Sequence, residues 1–329
     1  VATARQDGGA VDAVVIGRNE GERLRRCLHA LRGQVRRIVY VDSGSHDGSP
    51  ALAAAAGAAV VALPASPPFT AARARNAGFA AVMAAADPPD WVQFVDGDCT
   101  VRDGWVAQAL AFAADRPDAA VICGRRREVA PDRSIYNRLA DREWDTPVGQ
   151  ALACGGDALI RAAALQAVGG YRADLIAGEE PELCLRLRRA GWTVWRIAAE
   201  MTLHDAAMTR FGQWWRRSRR AGHAYAAGAA LHGAPPDWHW VAETRRALVW
   251  GATLPAAIVG AAVLWPPALA LALVYPAQVV RLAAREGFGP DALAAAGFSV
   301  LGKFAEAAGI AGYLWSRLTR RQAKLIEYK

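Results

Sequence analysis

Two carboxylates stand one residue apart at the end of an apolar run in Trp91-Val92-Gln93-Phe94-Val95-Asp96-Gly97-Asp98. Trp, Phe and two Val read as a buried strand. Gly97 lets the chain turn so that both acids emerge at the strand's end. Paired acids contribute little to a core. They suit Mg²⁺ or Mn²⁺, which takes one or two protein carboxylates and fills its other positions with water and substrate phosphates. The plain alternative is a strand closed by an Asp-Gly turn. Other residues could join such a site. Asp42 ends a second apolar run, 37–41. Glu179 and Glu180 open the helical pattern 181–190, where the helix dipole by itself favours acids. Gly155-Gly156-Asp157 could bring backbone close to a ligand or form an ordinary turn. His204 lies just past the run 193–197 and is open to either a ligating or a structural role.

The elements that must position these residues follow a repeating pattern. Apolar runs at 11–16, 37–41, 59–63, 91–95 and 119–123 alternate with helical segments. Among these are Leu24, Leu28 and Leu31 on one helical face, an Ala-rich stretch after Asp47, and 70–86. Asn19-Glu20-Gly21-Glu22 reads as a helix cap with an acid three residues on. Strands separated by crossover helices imply an α/β fold with a mostly parallel sheet, whose ligands bind beyond the carboxyl ends of the strands. Asp42 and Asp96 sit at such ends. Gly169-Gly170 and Gly191 suit the C-caps of helices at 162–168 and 181–190.

The formal charge of +8 is uneven. Residues 1–205 carry 24 Lys and Arg against 25 Asp and Glu, whereas 206–329 carry 15 against 6. The basic third is also the apolar third. Residues 247–265 and 268–280 hold no charge, are joined by Pro266-Pro267, and are flanked by Arg245, Arg246, Arg281 and Arg285. A spanning helix needs about 20 apolar residues. The pattern predicts a hairpin that enters a membrane with both ends on the cytoplasmic face, or else a buried helical pair. Residues 293–314, interrupted by Lys303 and Glu306, read as an amphipathic interfacial helix, and the basic stretch 317–324 suits anionic lipid. Nucleic-acid modules are not recognisable. Five widely spaced cysteines without a CxxC read as reduced thiols, and residues 1–12 show no apolar leader core.

Five segments recur together: Val14-Val15-Ile16-Gly17-Arg18-Asn19-Glu20, then 39–49 around Asp42, then Arg75-Asn76-Ala77-Gly78, Asp96-Gly97-Asp98, and Gly178-Glu179-Glu180-Pro181-Glu182-Leu183 leading to Arg186. In this order and spacing they resemble the inverting family 2 glycosyltransferases of the GT-A fold, over about residues 11–225. The resemblance implies a catalytic domain at 11–232 and a helical membrane-associated region at 233–329. It also implies transfer of one sugar from a nucleotide-diphosphate sugar to an acceptor hydroxyl. Asn19, Glu20, Asp42, Arg75, Asp96 and Asp98 would bind the donor. Asp98, Asp96 and His204 would hold the metal, Gly155, Gly156 and Asp157 would form an acceptor-side loop, and Glu180 would be the general base. Glu stands at 180 where the family has Asp, so Glu179 competes for that role. Gln213-Trp214-Trp215-Arg216-Arg217 resembles the Gln-x-x-Arg-Trp of processive synthases, except that Arg217 stands in place of Trp. Gln213, Arg216 and Arg220 share a helix face and could grip a diphosphate, or the segment could be a basic interfacial helix. Its departure from the motif and the short apolar segments argue against a processive synthase. The membrane region implies a lipid-linked saccharide as acceptor, on the cytoplasmic face of the inner membrane, for cell-surface polysaccharide. Two other readings compete: a sugar-phosphate nucleotidyltransferase, for which 14–20 lacks a Gly-rich phosphate loop, and a non-catalytic membrane scaffold.

Overall fold

A computed structural model describes residues 9–319. Residues 1–8, within the segment read as lacking a leader, lie outside the described residues, as does the basic stretch from 320 onward. The chain divides into two compact units, Val1–Thr209 and Arg210–Lys329.

In the first unit nine strands form one sheet: β1 (Val11–Gly17), β2 (Ile38–Asp42), β3 (Ala59–Ala62), β4 (Trp91–Asp96), β5 (Cys99–Val101), β6 (Ala119–Glu128), β7 (Gly149–Gln150), β8 (Ala158–Arg161) and β9 (Thr193–His204). The order is β3-β2-β1-β4-β8-β6-β9-β5, with β7 against β9. The first four strands are mutually parallel. The other side is mixed: β8 runs antiparallel to both β4 and β6, and β5 antiparallel to β9, while β6 and β9 are parallel. The mostly parallel sheet expected from the sequence is thus parallel in its first half and mixed in its second. The reversed strands β5 and β8 are three and four residues long, too short to give a periodic signal.

Helices α1 (Glu22–Leu31), α2 (Ser49–Ala55), α3 (Ala71–Met83), α4 (Trp105–Ala114), α5 (Ile135–Glu143), α6 (Ala162–Ala167) and α7 (Glu179–Arg189) complete the unit. The anticipated apolar face of α1 is buried through Leu24, Cys27, Leu28 and Leu31. Its anticipated cap is not formed: Gly21 occupies the N-cap without a side-chain bond. Asn19 adopts a left-handed φ of 56°, and its Oδ1 accepts the His46 amide at 2.8 Å instead. On α3 the Thr70 hydroxyl accepts the Arg73 amide, and Gly78 lies so close to Val14 of β1 that a methyl group there would overlap it. The core centres on Val14, Val15, Tyr40, Val41, Phe94 and Val95, all fully buried. Each large apolar side chain so buried contributes about 1.5–3 kcal/mol.

Register sets up the site. Gly17 pairs with Asp42, and Ile16 with Asp96. Three parallel strands therefore finish nearly level, and the loops leaving them converge at one edge.

The second unit begins with α8 (Phe211–His232), which the sequence pattern groups with the catalytic domain. Compactness places it with α9 (Val241–Leu248), α10 (Leu254–Leu264), α11 (Val274–Arg285) and α12 (Pro290–Leu318). The physical reason is close glycine packing: a methyl group on Gly222 would overlap the Glu306 backbone, and one on Gly309 would overlap that of Arg219. Such contacts let helix backbones meet. Through a π-helical turn, Val249–Thr253, α9 and α10 run on as one helix, Val241–Leu264. This helix, Pro266–Arg285 and Pro290–Leu318 are each long and apolar enough to cross a membrane. From the sequence, only the first two are expected to enter it. In α12 the interrupting charges pair with each other, Lys303 Nζ to Glu306 Oε2 at 2.7 Å, which lowers the cost of burying either.

Candidate active site

Asp96 and Asp98 flank the turn from β4 into β5. Since β5 crosses to pair with β9 and sets Cys99 opposite His204, the chain pulls Asp98 away from the β4 end. The Asp98 carboxylate lies 3.4 Å from His204 Nε2, and both side chains are buried, at 6% and 5% exposure. Asp98, Cys99 and His204 offer ligand atoms within 4.8 Å of one another. Burial, and then the nearby Arg126 guanidinium, push the His204 imidazole down to about 4, so it is neutral at physiological pH and has a lone pair to give. Among the described residues its Nδ1 is buried without a hydrogen-bond partner, the Glu128 carboxylate lying 4.0 Å away, and Trp144 packs edge-on against the ring at 4.7 Å. Burial holds the Cys99 thiol well above its ordinary range, so it stays protonated and is a poor ligand. A neutral imidazole beside a carboxylate fits a divalent cation.

Asp96 is held differently. Its side chain is 28% exposed. Arg75 Nη2 lies 2.9 Å from Oδ1 and Arg126 Nη2 3.5 Å from Oδ2. Asp96 shares a set of neighbouring ligand atoms with Cys99 and Asp157, not with Asp98 and His204. Among the described residues, Asp98 and His204 thus share one cluster of possible ligand atoms and Asp96 belongs to another, where it is paired with two guanidiniums.

Arg75, only 2% exposed on α3, bridges from Asp96 to the start of α7. Its Nη1 is 2.9 Å from Glu179 Oε1 and 2.9 Å from Glu180 Oε1, and Tyr171 lies beneath its guanidinium at 5.6 Å. The two glutamates differ in access: the Glu179 side chain is 4% exposed and that of Glu180 15%. Burial, and then the neighbouring Glu179 charge, push the Glu180 carboxyl up to about 7, with Arg75 opposing the shift. A carboxylate that titrates near neutral pH and reaches the surface has the properties of a general base.

At the neighbouring strand ends, Asp42 is buried and committed to its own loop. It accepts hydrogen bonds from the Tyr40 hydroxyl at 3.0 Å and the Gly44 and Ser45 amides at 3.0 and 2.9 Å. Asn19 ties the loop after β1 to the loop after β2, its amide donating to Ser45 Oγ, and Glu20 pairs with Arg23 at 2.8 Å. These residues shape the edge.

Gly155 and Gly156 do form a loop at the site. A methyl group on Gly156 would come within 2.6 Å of Asp96 Oδ2 and 2.7 Å of Arg75 Nη2, so a side chain there would displace the Asp96–Arg75 pair. Asp157 departs from the expected acceptor role. Fully buried, it accepts the Asp96 amide at 3.0 Å and the Thr202 hydroxyl at 2.8 Å, and pairs with Arg126 at 2.7 Å. It braces Asp96 from beneath, because β8 carries it inward. Sequence reasoning missed Arg126 and Thr202. Their signal was the run Arg125-Arg126-Arg127 at the end of an apolar strand, which is costly unless acids face it. Gln213, Arg216 and Arg220 lie on α8 in the second unit, where the Gln213 side chain accepts the Arg210 amide.

Residues 12–161 match the glycosyl transferase family 2 model. A pre-mycofactocin glycosyltransferase of Mycobacterium tuberculosis is 28% identical over 242 residues, covering 68% of this chain and 48% of that one. The chain thus spans about half the length of the curated relatives it matches first. Among solved structures, a mannosyltransferase from Pyrobaculum calidifontis, in complex with GDP-Man and Mn²⁺, superposes with a TM-score of 0.67 at 20% identity, covering 94% of this chain and 88% of that one. TarS 1-349 of S. aureus gives 0.50 at 12% identity, covering 95% and 92%. Residues 12–161 thus resemble the glycosyl transferase family 2 domain, and the fold is the GT-A fold of these structural neighbours.

Proposed function

We propose that this chain is an inverting, metal-dependent glycosyltransferase. It transfers one sugar from a nucleotide-diphosphate sugar to an acceptor hydroxyl, on a lipid-linked saccharide at the cytoplasmic face of the inner membrane. The observation that carries this reading is the Arg75 bridge, which sets a partly exposed carboxylate titrating near 7 within one guanidinium of the strand-end acid Asp96.

Asp98 and His204 would hold the metal, and the imidazole favours Mn²⁺ over Mg²⁺. A divalent cation bound there neutralises charge on the departing nucleotide diphosphate. Asp96, Asn19, Glu20 and Asp42 border the donor at the ends of β1, β2 and β4, and Arg75 keeps Asp96 and Glu180 at a fixed separation. Glu180 Oε accepts the proton of the acceptor hydroxyl as its oxygen attacks the anomeric carbon, on the face opposite the leaving diphosphate. One such displacement inverts the configuration. The solved mannosyltransferase, bound to GDP-Man and Mn²⁺, supports a donor and metal of this class. The three apolar helices support a membrane setting, and Arg245, Arg246, Arg281 and Arg285 at their ends support the cytoplasmic face. A membrane-held site favours an acceptor that is also held there, as in cell-surface polysaccharide assembly.

The test is a panel of nucleotide sugars with Mn²⁺ and the full chain in detergent, scored for nucleotide diphosphate release and for the anomeric configuration of the product. One donor should be turned over with inversion. Release that persists unchanged in Glu180→Gln and Asp98→Ala would reject the reading.

A further inference from the structure

The thiols of Cys154 and Cys184 lie 3.6 Å apart. Cys154 is partly exposed in the loop just before Gly155-Gly156, whereas Cys184 is buried on α7, one helical turn beyond Glu180. Around them the loop meets α7 in two direct contacts and a third through Arg75. Arg188 Nε donates to the Leu152 carbonyl at 3.2 Å, and Cys154 meets Cys184. Gly156 abuts Arg75, which holds Glu180. The central contact is the one that can become covalent. Neither thiol is used by the reaction proposed above.

We propose that Cys154 and Cys184 are an oxidisable dithiol whose closure to a disulfide fastens the Gly155-Gly156 loop to the helix bearing Glu180 and lowers turnover. The oxidant is a hydroperoxide. Cys154, the more exposed thiol, attacks the peroxide oxygen, yielding a sulfenic acid and one molecule of water or alcohol. The Cys184 sulfur then attacks the Cys154 sulfur, forming the S–S bond and expelling the sulfenic oxygen as water. Two thiols lose two electrons and two protons in all, and the peroxide O–O bond is reduced. The hydrogen bond to Cys184, and then burial, hold the Cys154 thiol well above its ordinary range. Oxidation is therefore slow and needs sustained peroxide. Closure to a bond of about 2.05 Å shortens the sulfur–sulfur distance from 3.6 Å and ties the loop to α7, and a misplacement of about 1 Å can cost up to about a hundredfold in rate.

The full chain in detergent is treated with hydrogen peroxide and examined by peptide mass mapping, thermal melting and turnover. The expected result is a loss of about 2 Da confined to a Cys154–Cys184 cross-link, a higher Tm, and a fall in kcat of roughly tenfold or more, all reversed by dithiothreitol. Cys154→Ser should keep its turnover through the same treatment, and Cys184→Ala, as a second variant, should yield no cross-link. Absence of the cross-link, a cross-link with unchanged kcat, or equal loss in Cys154→Ser would overturn the proposal. The kinetic arm rests on the transferase reading. If the reduced protein transfers no sugar, that reading fails, while the cross-link and the Tm shift still judge the dithiol.

Discussion

Asp96 and Asp98 are one residue apart, yet they belong to two electrostatic regions. On the Asp96 side, two arginines and three further carboxylates (Asp157, Glu179 and Glu180) form a network in which every acid pairs with a guanidinium. On the Asp98 side, a neutral imidazole lies against the carboxylate. A cation brought to the first region would compete with two guanidiniums already paired to its carboxylates; in the second it would meet a carboxylate and an imidazole lone pair. The difference comes from topology, since β5 turns back to pair with β9 and carries Asp98 to His204. On the proposed reading the pair of acids divides its labour: Asp98 would serve the metal, and Asp96 would order the side where the acceptor is deprotonated.

Five substitutions test that division, and the largest effect falls on the guanidinium side. Glu180→Gln keeps size and hydrogen bonding but cannot take a proton. It should lower kcat by about 10²–10⁴-fold while nucleotide-diphosphate affinity, measured by calorimetry, stays within a few-fold of the parent. Arg75→Met removes the cation that Asp96, Glu179 and Glu180 share, leaving Arg126 beside Asp96, and removing one partner of a buried pair costs about 3–5 kcal/mol. Denaturant unfolding at neutral pH should show a loss of that size. Loss of the Arg75 charge should also push Glu180 further up, since Arg75 is what opposes its shift. Asp98→Asn should weaken Mn²⁺ binding by at least about 10–100-fold, whereas Asp96→Asn should change it much less. Equal losses in these two variants, followed by Mn²⁺ electron paramagnetic resonance, would erase the distinction between the two regions. His204→Gln should have the smallest consequence, removing the preference for Mn²⁺ over Mg²⁺ while leaving some metal-dependent turnover.

The strand-end acids were legible because an apolar run that stops at charged residues marks the point where a buried strand meets solvent, and the Glu179-Glu180 pair stood out at a helix start. What could not be read was tertiary. Nothing local in the three residues of β5, or in the Ala198-Ala199-Glu200 stretch of β9, announces a strand. Both exist because the sheet pairs them, so the meeting of Asp98 with His204 leaves no trace in local sequence. Asp157 reads as part of an acceptor-side loop or an ordinary turn because Gly155 and Gly156 precede it, but the chain entering β8 carries it inward to Arg126 and Thr202. Lys303 and Glu306 made α12 look interfacial because a linear reading counts charges singly, whereas three residues of helix bring them together. The grouping of α8 with the C-terminal helices depends on Gly222 and Gly309, whose value lies in what they allow to come near.

The pH dependence of kcat, in the parent and in Glu180→Gln, tests the central claim most directly. A base must be deprotonated to act. Since burial and Glu179 hold Glu180 up to about 7, kcat of the parent should be low below about pH 6, climb through a midpoint near 7 and level off above it. Glu180→Gln should lose that rise and stay low throughout. A parent profile that is flat from about pH 5 to 8, or a variant that climbs with the same midpoint, would contradict the assignment of Glu180 as the base.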